Sequence, residues 1–255
     1  MVELILSFFL VAHRGASALA PENTLPAFEL AWQLGADAIE GDFHLTQDGH
    51  IVCIHDYDTK KVAGKKLIVA QSTLADLKKL DVGKWKGAEF TGTRIPTLTE
   101  VLATVPEGKA IYIEIKCGKE VIPILEKDLA NSPVPLEKIV FISFDADFIT
   151  TWKKAYPQSK ALLIISHDRK HWWGLSPSAN KTLALLKKTG ADGLSTNTHR
   201  AINKAFITRL HKAGYEHNVW TVNDAKTAKR FQKYGSQSIS TDHPGALREA
   251  LKSKR

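Results

Sequence analysis

Short runs of apolar and β-branched residues alternate with longer amphipathic stretches along this chain. Runs of this length, bounded by polar and turn-forming residues, are typical of buried strands, whereas apolar positions spaced three and four apart predict helices. The strand-like runs are FFLVAH, DAIEGDF, AIYIEIK, IVFISF, ALLIIS, GLSTN, NVWTV and SISTD.

Eight helical patterns follow these eight runs. The first has Thr24 as a candidate N-cap, Pro26 in its first turn and Gly35 after its end, the usual signals of a helix start and stop. The predicted helices cover residues 25–34, 99–104, 121–131, 148–156, 180–189, 203–213, 225–234 and 246–252. This alternation predicts parallel strands closed into an α/β (β/α)8 TIM barrel. An open doubly wound sheet is the alternative, but no G-x-G-x-x-G motif follows the first strand.

One connection is much longer than the few residues that such a barrel needs. The segment from Tyr57 to Ile95 lies between the second strand and the second helix, and we interpret it as a small insertion over the barrel mouth within one domain, 1–255. It carries eight Lys and one Arg against four acids, which is +5 of the net charge of +8. We expect its lysines to face an incoming ligand. The residues that could give it an apolar core are Leu67, Ile68, Val69, Leu74, Leu77 and Leu80.

Composition excludes several classes of protein. The positive charge is not accompanied by an aromatic RNA-binding motif or a zinc finger, so we expect no nucleic-acid partner. The sequence contains no stretch of about 18 apolar residues, so it predicts no membrane span. The apolar run Leu4–Ala12 follows the acidic Glu3, so we interpret it as a buried strand and the protein as cytoplasmic. Cys53 and Cys117 are too few for a disulfide framework, and neither has the surroundings of a nucleophile.

The segment IEGDFHLTQDGHIVCIHD, residues 39–56, is an unusual hairpin because it carries acids and histidines. A two-residue turn at Asp48-Gly49 would set Asp42 opposite His55 and His44 opposite Cys53. One side of the hairpin would then bring together Glu40, Asp42 and His55. The alternative is that this side is an ordinary solvated face. The opposite, apolar face would consist of Gly41, Phe43, Leu45, Val52 and Ile54, while His44 and His50 would face solvent.

The predicted carboxyl ends of the strands carry most of the candidate chemistry, and in a barrel these ends meet at one mouth. Carboxylate oxygens suit Mg²⁺ or Ca²⁺ better than Zn²⁺. Arginine and lysine there could bind a phosphate. Each residue taken alone also has a structural interpretation. Glu114 and Lys116 could form a structural ion pair, and His13 could be a buried structural histidine. The residues concerned are His13, Arg14, Glu40, Asp42, His55, Glu114, Lys116, Trp220 and Asp242.

Five segments resemble the glycerophosphodiester phosphodiesterase family, in order and over nearly the whole chain. They are VAHRGASALAPENTLPAFELA, AIEGDFHLTQDGHIVCIHD, IPTLTEVL, YIEIK and VWTVN. The resemblance implies a TIM barrel with a small insertion after its second strand. One departure is GSQSISTD, where the family often has an Asp-Gly pair before its last strand.

The resemblance also implies roles for individual residues. One divalent cation, Mg²⁺ or Ca²⁺, would be held by Glu40, Asp42 and Glu114. The general acid and base would be His13 and His55. Phosphate would be bound by Arg14 and Lys116, and Trp220, inside a matching motif, would contact substrate.

The implied reaction is metal-dependent hydrolysis of a small-molecule glycerophosphodiester to glycerol 3-phosphate and an alcohol. The resemblance suggests that the glycerol 2-hydroxyl attacks the phosphorus, and direct attack by water is the alternative. A lysophospholipase D-type activity on lipid substrates and a non-catalytic phosphate-binding barrel are the rival functions. The motif with His171, Trp172 and Trp173 follows the fifth strand, where we expect the aromatic pair to pack its loop.

Overall fold

The computed structural model describes residues 8–167 and 179–252. Within these ranges, eight parallel strands close into a barrel, because β1 pairs with both β2 and β9. The predicted (β/α)8 fold is therefore confirmed. The strands are β1 (Phe9–His13), β2 (Ala38–Leu45), β3 (Ile51–Cys53), β4 (Ala110–Ile115), β5 (Ile139–Ser143), β6 (Lys160–Ile165), β7 (Gly193–Asn197), β8 (Glu216–Trp220) and β9 (Ser238–Thr241), of which β3 is antiparallel.

Helices surround the barrel and begin at residues suited to capping. The side chains of Asp145, Asn203 and Asp224 each accept a hydrogen bond from the first turn of their helices, which satisfies free N–H groups there. None of the helices in the described residues has the length and hydropathy needed to cross a bilayer. The helices are α1 (Leu25–Gln33), α2 (Lys60–Ala63), α3 (Leu74–Leu77), α4 (Leu98–Leu102), α5 (Ile122–Ala130), α6 (Ala146–Ala155), α7 (Ala179–Thr189), α8 (Lys204–Lys212), α9 (Ala225–Tyr234) and α10 (Pro244–Lys252).

The barrel strands bury both of their faces. On β2, Ile39 and Phe43 pack in the layer between strands and helices, whereas Ala38 packs with other strand residues inside the barrel. Side chains alternate along a strand, so Glu40 and Asp42 share the inner face of Ala38. Parallel strands covered on both faces read as nearly continuous apolar runs, which is the pattern of this sequence.

The final strand forms despite its unusual sequence. Ser238 and Ser240 face the barrel interior, where Asn218 donates to Ser238 Oγ at 2.8 Å, and Ile239 packs against the helices. Tyr112 donates to the same Ser238 at 3.1 Å. Polar residues at this strand are therefore hydrogen-bonded inside the barrel.

The register of the hairpin differs from the predicted one. Phe43 pairs with Cys53, and Thr46 N donates to His50 O at 2.8 Å, so the loop has three residues, not two. Gly49 has a φ of 77°, which is the left-handed residue that ends such a loop. The prediction that Asp42 lies opposite His55 was therefore wrong by one residue. Cys53 lies on the side of Phe43, whereas Val52 and Ile54 pack against the insertion.

The insertion (residues 57–95) has a core of its own. Val52 and Ile54 of the hairpin's return arm form part of this core, which ties the segment to the barrel. Ile68 lies outside the cluster, contrary to expectation, and is half-buried. The other cluster members are Val62, Val69, Leu77, Leu80, Val82 and Ile95, with Leu67 and Leu74 packed against them.

Candidate active site

Three carboxylates meet at the mouth of the barrel, and we call them the acidic triad: Glu40 and Asp42 on β2, and Glu114 on β4. Asp42 and Glu114 are paired in the parallel register, and Glu40 lies two residues before Asp42 on the same face. One oxygen from each of the three lies within 4.8 Å of the others, a spacing that could hold a metal ion. Strand register alone thus assembles the triad.

Burial makes the charge of the triad costly. Burial, together with the neighbouring charge of Asp42, raises the pKa of Glu114 to about 7. The pKa of Glu40 is raised well above its usual range by burial and by its two acidic neighbours. Burial alone would raise the pKa of Asp42 as well. The positive charges of Arg14 and Lys116 outweigh this effect, so the pKa of Asp42 is lowered.

The triad also contains an unpartnered atom. Oε2 of Glu40 accepts a hydrogen bond from the backbone N–H of Arg14 at 2.9 Å, whereas its buried Oε1 has no hydrogen-bond partner. A buried carboxylate oxygen without a partner is expensive. Three oxygen donors, one of them unpartnered, therefore fit a hard divalent cation.

Arg14 reaches the triad from an unusual turn after β1. Its φ is 56°, and Gly15 follows at 80°, so the backbone turns sharply. A Cβ at Gly15 would come within 2.6 Å of the backbone of Ala27, which explains the glycine. The turn points the backbone N–H of Arg14 at Glu40 and places its Nε 3.2 Å from Asp42 Oδ2.

Lys116, directly after β4, contacts two of the same carboxylates. Its Nζ donates to Glu114 Oε1 at 2.8 Å and lies 3.4 Å from Asp42 Oδ1. The ring of Phe144 lies 5.9 Å from the same ammonium group. The side chains of Arg14 and Lys116 thus place two positive charges beside the three carboxylates.

His13 is held by the last strand of the barrel. Its Nδ1 donates to Asp242 Oδ1 at 2.7 Å, which leaves Nε2 for a substrate. Ser17 Oγ donates to the same oxygen at 3.0 Å, and Asn223 Nδ2 donates to Oδ2 at 2.7 Å. Burial opposes ionisation of Asp242, but these donors outweigh it and lower its pKa.

His55 has a similar but more exposed partner. Its Nδ1 donates to Asp56 Oδ1 at 2.7 Å, and the Asp56 side chain is 39% exposed. Burial lowers the pKa of His55, although Asp42 acts in the opposite direction. The backbone N–H of Ile54 donates to Asp42 O, which brings His55 to the mouth in spite of the altered register.

Asn23 is a site residue that sequence reasoning missed. It is buried, with a φ of 59°, and its Nδ2 donates to Asp42 Oδ2 at 2.8 Å. Its Oδ1 accepts from the backbone N–H of Asp42 at 3.0 Å. Asn23 therefore fixes the orientation of Asp42. The sequence signal for such a turn was an asparagine directly before Thr24, the residue that precedes helix α1, since asparagine tolerates the left-handed conformation.

Other predicted residues fall at the edge of this arrangement. Trp220 lies at the end of β8 with its ring 6.2 Å from that of Phe144. His44 is only partly exposed, whereas solvent exposure was expected: its Nε2 donates to His55 O at 3.2 Å, and burial lowers its pKa. His50 is exposed. The residues His171, Trp172 and Trp173 lie outside the described ranges.

The cysteines are both free. Burial raises the pKa of Cys117 to about 11 and that of Cys53 well above its usual range. These raised pKa values favour the neutral thiol, which is a poor nucleophile.

Comparison with known proteins gives a consistent result. Residues 13–246 match the model of the glycerophosphoryl diester phosphodiesterase family. The chain is 35% identical over 239 residues to YhdW of Bacillus subtilis, covering 92% of this chain and 95% of that protein. It is 33% identical over 241 residues to a glycerophosphodiester phosphodiesterase of Caldanaerobacter subterraneus, covering 93% and 95%. A phosphodiesterase of Oleispira antarctica, solved with the product sn-glycerol-3-phosphate, superposes with a TM-score of 0.85 at 27% identity, covering 96% and 97%.

Proposed function

Because this chain belongs to the glycerophosphoryl diester phosphodiesterase family, we propose that it cleaves glycerophosphodiesters to glycerol 3-phosphate and an alcohol with one divalent cation and two histidines. The observation that carries the proposal is the acidic triad, in which Glu40 Oε1 is buried without a partner. Arg14 and Lys116 beside the triad suit a substrate that contains a phosphodiester.

The oxygen ligands of the acidic triad favour Mg²⁺ or Ca²⁺. When bound, such a cation would polarise a phosphoryl oxygen and ease deprotonation of the attacking hydroxyl. Arg14 and Lys116 would offset the negative charge that repels a nucleophile from a phosphodiester. Asn23 would keep Asp42 in its orientation through its two hydrogen bonds.

The two histidines would divide the proton transfers. The attacking hydroxyl gives its proton to one imidazole while its oxygen bonds to phosphorus, and the bond from phosphorus to the alcohol oxygen breaks. The other imidazole gives its proton to that leaving oxygen. Histidine suits both roles because it titrates near neutral pH. Nδ1 of His13 and of His55 is engaged by a carboxylate, which leaves Nε2 of each ring to exchange a proton in this scheme.

We further propose that the nucleophile is the glycerol 2-hydroxyl of the substrate itself. Its attack forms a cyclic phosphate and releases the alcohol, and water then opens the ring to give glycerol 3-phosphate. Well-oriented attack within one molecule has an effective molarity of roughly 10⁵ M or more. Trp220 and Phe144, at the mouth, would contact the substrate beside Lys116.

The decisive assay measures hydrolysis of glycerophosphocholine with and without EDTA. Glycerol 3-phosphate and choline should form, and EDTA should abolish both until Mg²⁺ or Ca²⁺ is restored. Release of phosphocholine would contradict the proposed bond cleavage. Binding without any turnover would instead favour a non-catalytic phosphate-binding barrel.

A substrate analogue without the 2-hydroxyl tests the nucleophile. The 2-deoxyglycerol phosphodiester should bind but react slower by a factor of about 10³ or more. Turnover near the rate of the parent substrate would exclude the intramolecular route and leave direct attack by water.

A further inference from the structure

The exposed large apolar side chains of the described residues are concentrated at one end of the barrel. Five such residues are exposed by about a third or more of their surface: Phe9, Leu19, Tyr57, Trp85 and Phe144. Only Phe9 lies at the amino end of its strand. The other four follow the carboxyl ends of strands or lie in the insertion, and thus surround the mouth. Single exposed apolar residues are ordinary, but their clustering at one surface marks an interaction site.

Contacts between loops hold the insertion, which carries Tyr57 and Trp85, against the loop that carries Leu19. Lys86 Nζ, next to Trp85, donates to Ser17 O at 2.7 Å, which ties the insertion to the loop that carries Leu19. Lys61 Nζ donates to Glu22 on the same loop at 2.9 Å. Tyr57 begins the insertion, two residues after His55. We call Leu19, Tyr57 and Trp85 the mouth rim.

Positive charge lies next to the apolar groups of the mouth rim. Lys84 and Lys86 flank Trp85, and the Lys86 ammonium lies 5.6 Å from its ring. The Lys66 ammonium lies 6.0 Å from the ring of Tyr57. Tryptophan and tyrosine beside lysine are typical of surfaces that enter the head-group region of a bilayer.

We propose that the mouth rim and the lysines of the insertion dock the protein on the surface of an anionic lipid bilayer. Charge complementarity selects this partner, because the insertion carries +5 and anionic head groups attract basic residues. Docking in this orientation turns the barrel mouth toward the head-group layer, where phosphodiesters are concentrated. The proposal concerns a surface outside the acidic triad and holds independently of the rate of hydrolysis.

A second basic surface provides a matched control. Helix α9 carries Lys226, Lys229, Arg230 and Lys233 without an acidic residue. No exposed large apolar residue accompanies these charges within the described part of the chain. If charge alone decided binding to the bilayer, α9 would bind as well as the mouth. If binding needs both charge and apolar contact, the mouth rim should bind better.

Flotation with lipid vesicles tests the proposal. The protein should float with vesicles of equal parts phosphatidylcholine and phosphatidylglycerol, and much less with phosphatidylcholine alone. The triple variant Leu19→Ser, Tyr57→Ser, Trp85→Ser should lose about fivefold in binding per side chain, on the order of 10²-fold together, since each half-exposed group adds part of its apolar surface to the contact. Trp85→Phe should retain most of the binding. The control Lys226→Ser, Lys229→Ser, Lys233→Ser should bind as the parent does.

Hydrolysis of glycerophosphocholine in solution separates this proposal from the proposed function. All of these variants should keep the parent rate, because none of the substituted residues belongs to the site. A parent protein that hydrolyses this substrate but never floats would overturn the docking proposal alone. A protein that floats but does not hydrolyse would overturn the proposed function alone. Equal losses in the mouth-rim and α9 variants would also overturn the docking proposal. So would a parent protein that elutes as a dimer in size exclusion when the mouth-rim variant elutes as a monomer.

Discussion

Asp242→Asn is the sharpest test of how the site controls His13. Asp242 Oδ1 accepts from His13 Nδ1 and from Ser17, while Oδ2 accepts from Asn223 Nδ2. Asparagine has the same size but carries one NH₂ group in place of an oxygen. In either orientation this group would point at a donor, either Asn223 Nδ2 or His13 Nδ1.

Asn223 cannot turn to accommodate the change. Its Oδ1 accepts from Thr241 Oγ1 at 3.0 Å and from the backbone N–H of residue 242 at 2.9 Å, and a flip would lose both. The variant therefore loses the carboxylate hydrogen bond to His13 or reverses its direction. A hydrogen bond to a charged group contributes about 1.5–3 kcal/mol. If that stabilisation is fully used in the transition state, kcat should fall by about 10-fold to 150-fold.

The assay follows release of glycerol 3-phosphate and separates kcat from KM. We expect kcat to fall on the order of 10²-fold, while KM changes by less than about threefold because Asp242 contacts His13 and not the cation-flanked triad. Thermal unfolding and calorimetric cation binding should match the parent, which distinguishes positioning from loss of structure.

Asp56→Asn is the matched control, because it makes the same change at His55. Asp56 is more exposed, and an exposed pair contributes about 0–1 kcal/mol, so kcat should fall by less than about fivefold. The reasoning is refuted if Asp242→Asn keeps kcat within about threefold of the parent, or if Asp56→Asn is the more damaging change.

The remaining predictions concern the metal, the insertion and acid stability. Single Ala variants of the acidic triad should each weaken binding of Mg²⁺ or Ca²⁺ in calorimetry, and parent affinity in all three would place the site elsewhere. Neutralising the four lysines nearest Tyr57 should lower kcat/KM for an anionic substrate and flatten its dependence on salt. Salt screens electrostatic steering because the Debye length falls from about 10 Å at 0.1 M to about 3 Å at 1 M. An unchanged salt dependence of kcat/KM would make these lysines ordinary surface charges. The substituted residues are Lys60, Lys61, Lys65 and Lys66. Burial lowers the pKa of His217 to about 3, so the folded protein holds this histidine neutral. As pH is lowered from about 6.5 to 3, the unfolded histidine protonates, and the free energy of unfolding should fall by at most about 1.4 kcal/mol per pH unit. His217→Asn should reduce that slope in urea unfolding.

Local patterns were sufficient for the barrel strands, for the helices that follow them and for the inner face of β2. Alternation with a period of two placed Glu40 and Asp42 on one side of β2, and the strand and helix periods together predicted the barrel. These features depend on residues close in sequence. The turn signal at Asp48-Gly49 was also local, but it located the hairpin without fixing its loop length, because Gly49 suits a three-residue loop as well as a two-residue one.

Two of the site residues have partners that come from chain segments far away in sequence. Asp242 reaches His13 across 229 positions, because the last strand pairs with the first when the barrel closes. Asn23 reaches Asp42 only because the turn after β1 folds over β2. No spacing rule within one segment predicts such contacts.

The sequence by itself determined the alternation of strands and helices, the shared face of Glu40 and Asp42, and the basic character of the insertion. Tertiary structure decided the hairpin register, the carboxylate that holds His13, and the unequal pKa values within the acidic triad. The physical reason is that side-chain direction follows from local backbone period, whereas the pKa of a carboxyl follows from burial and neighbouring charge. Burial and neighbouring charge at Glu114 and Asp42 exist only once β2, β4 and the turn of Arg14 have come together.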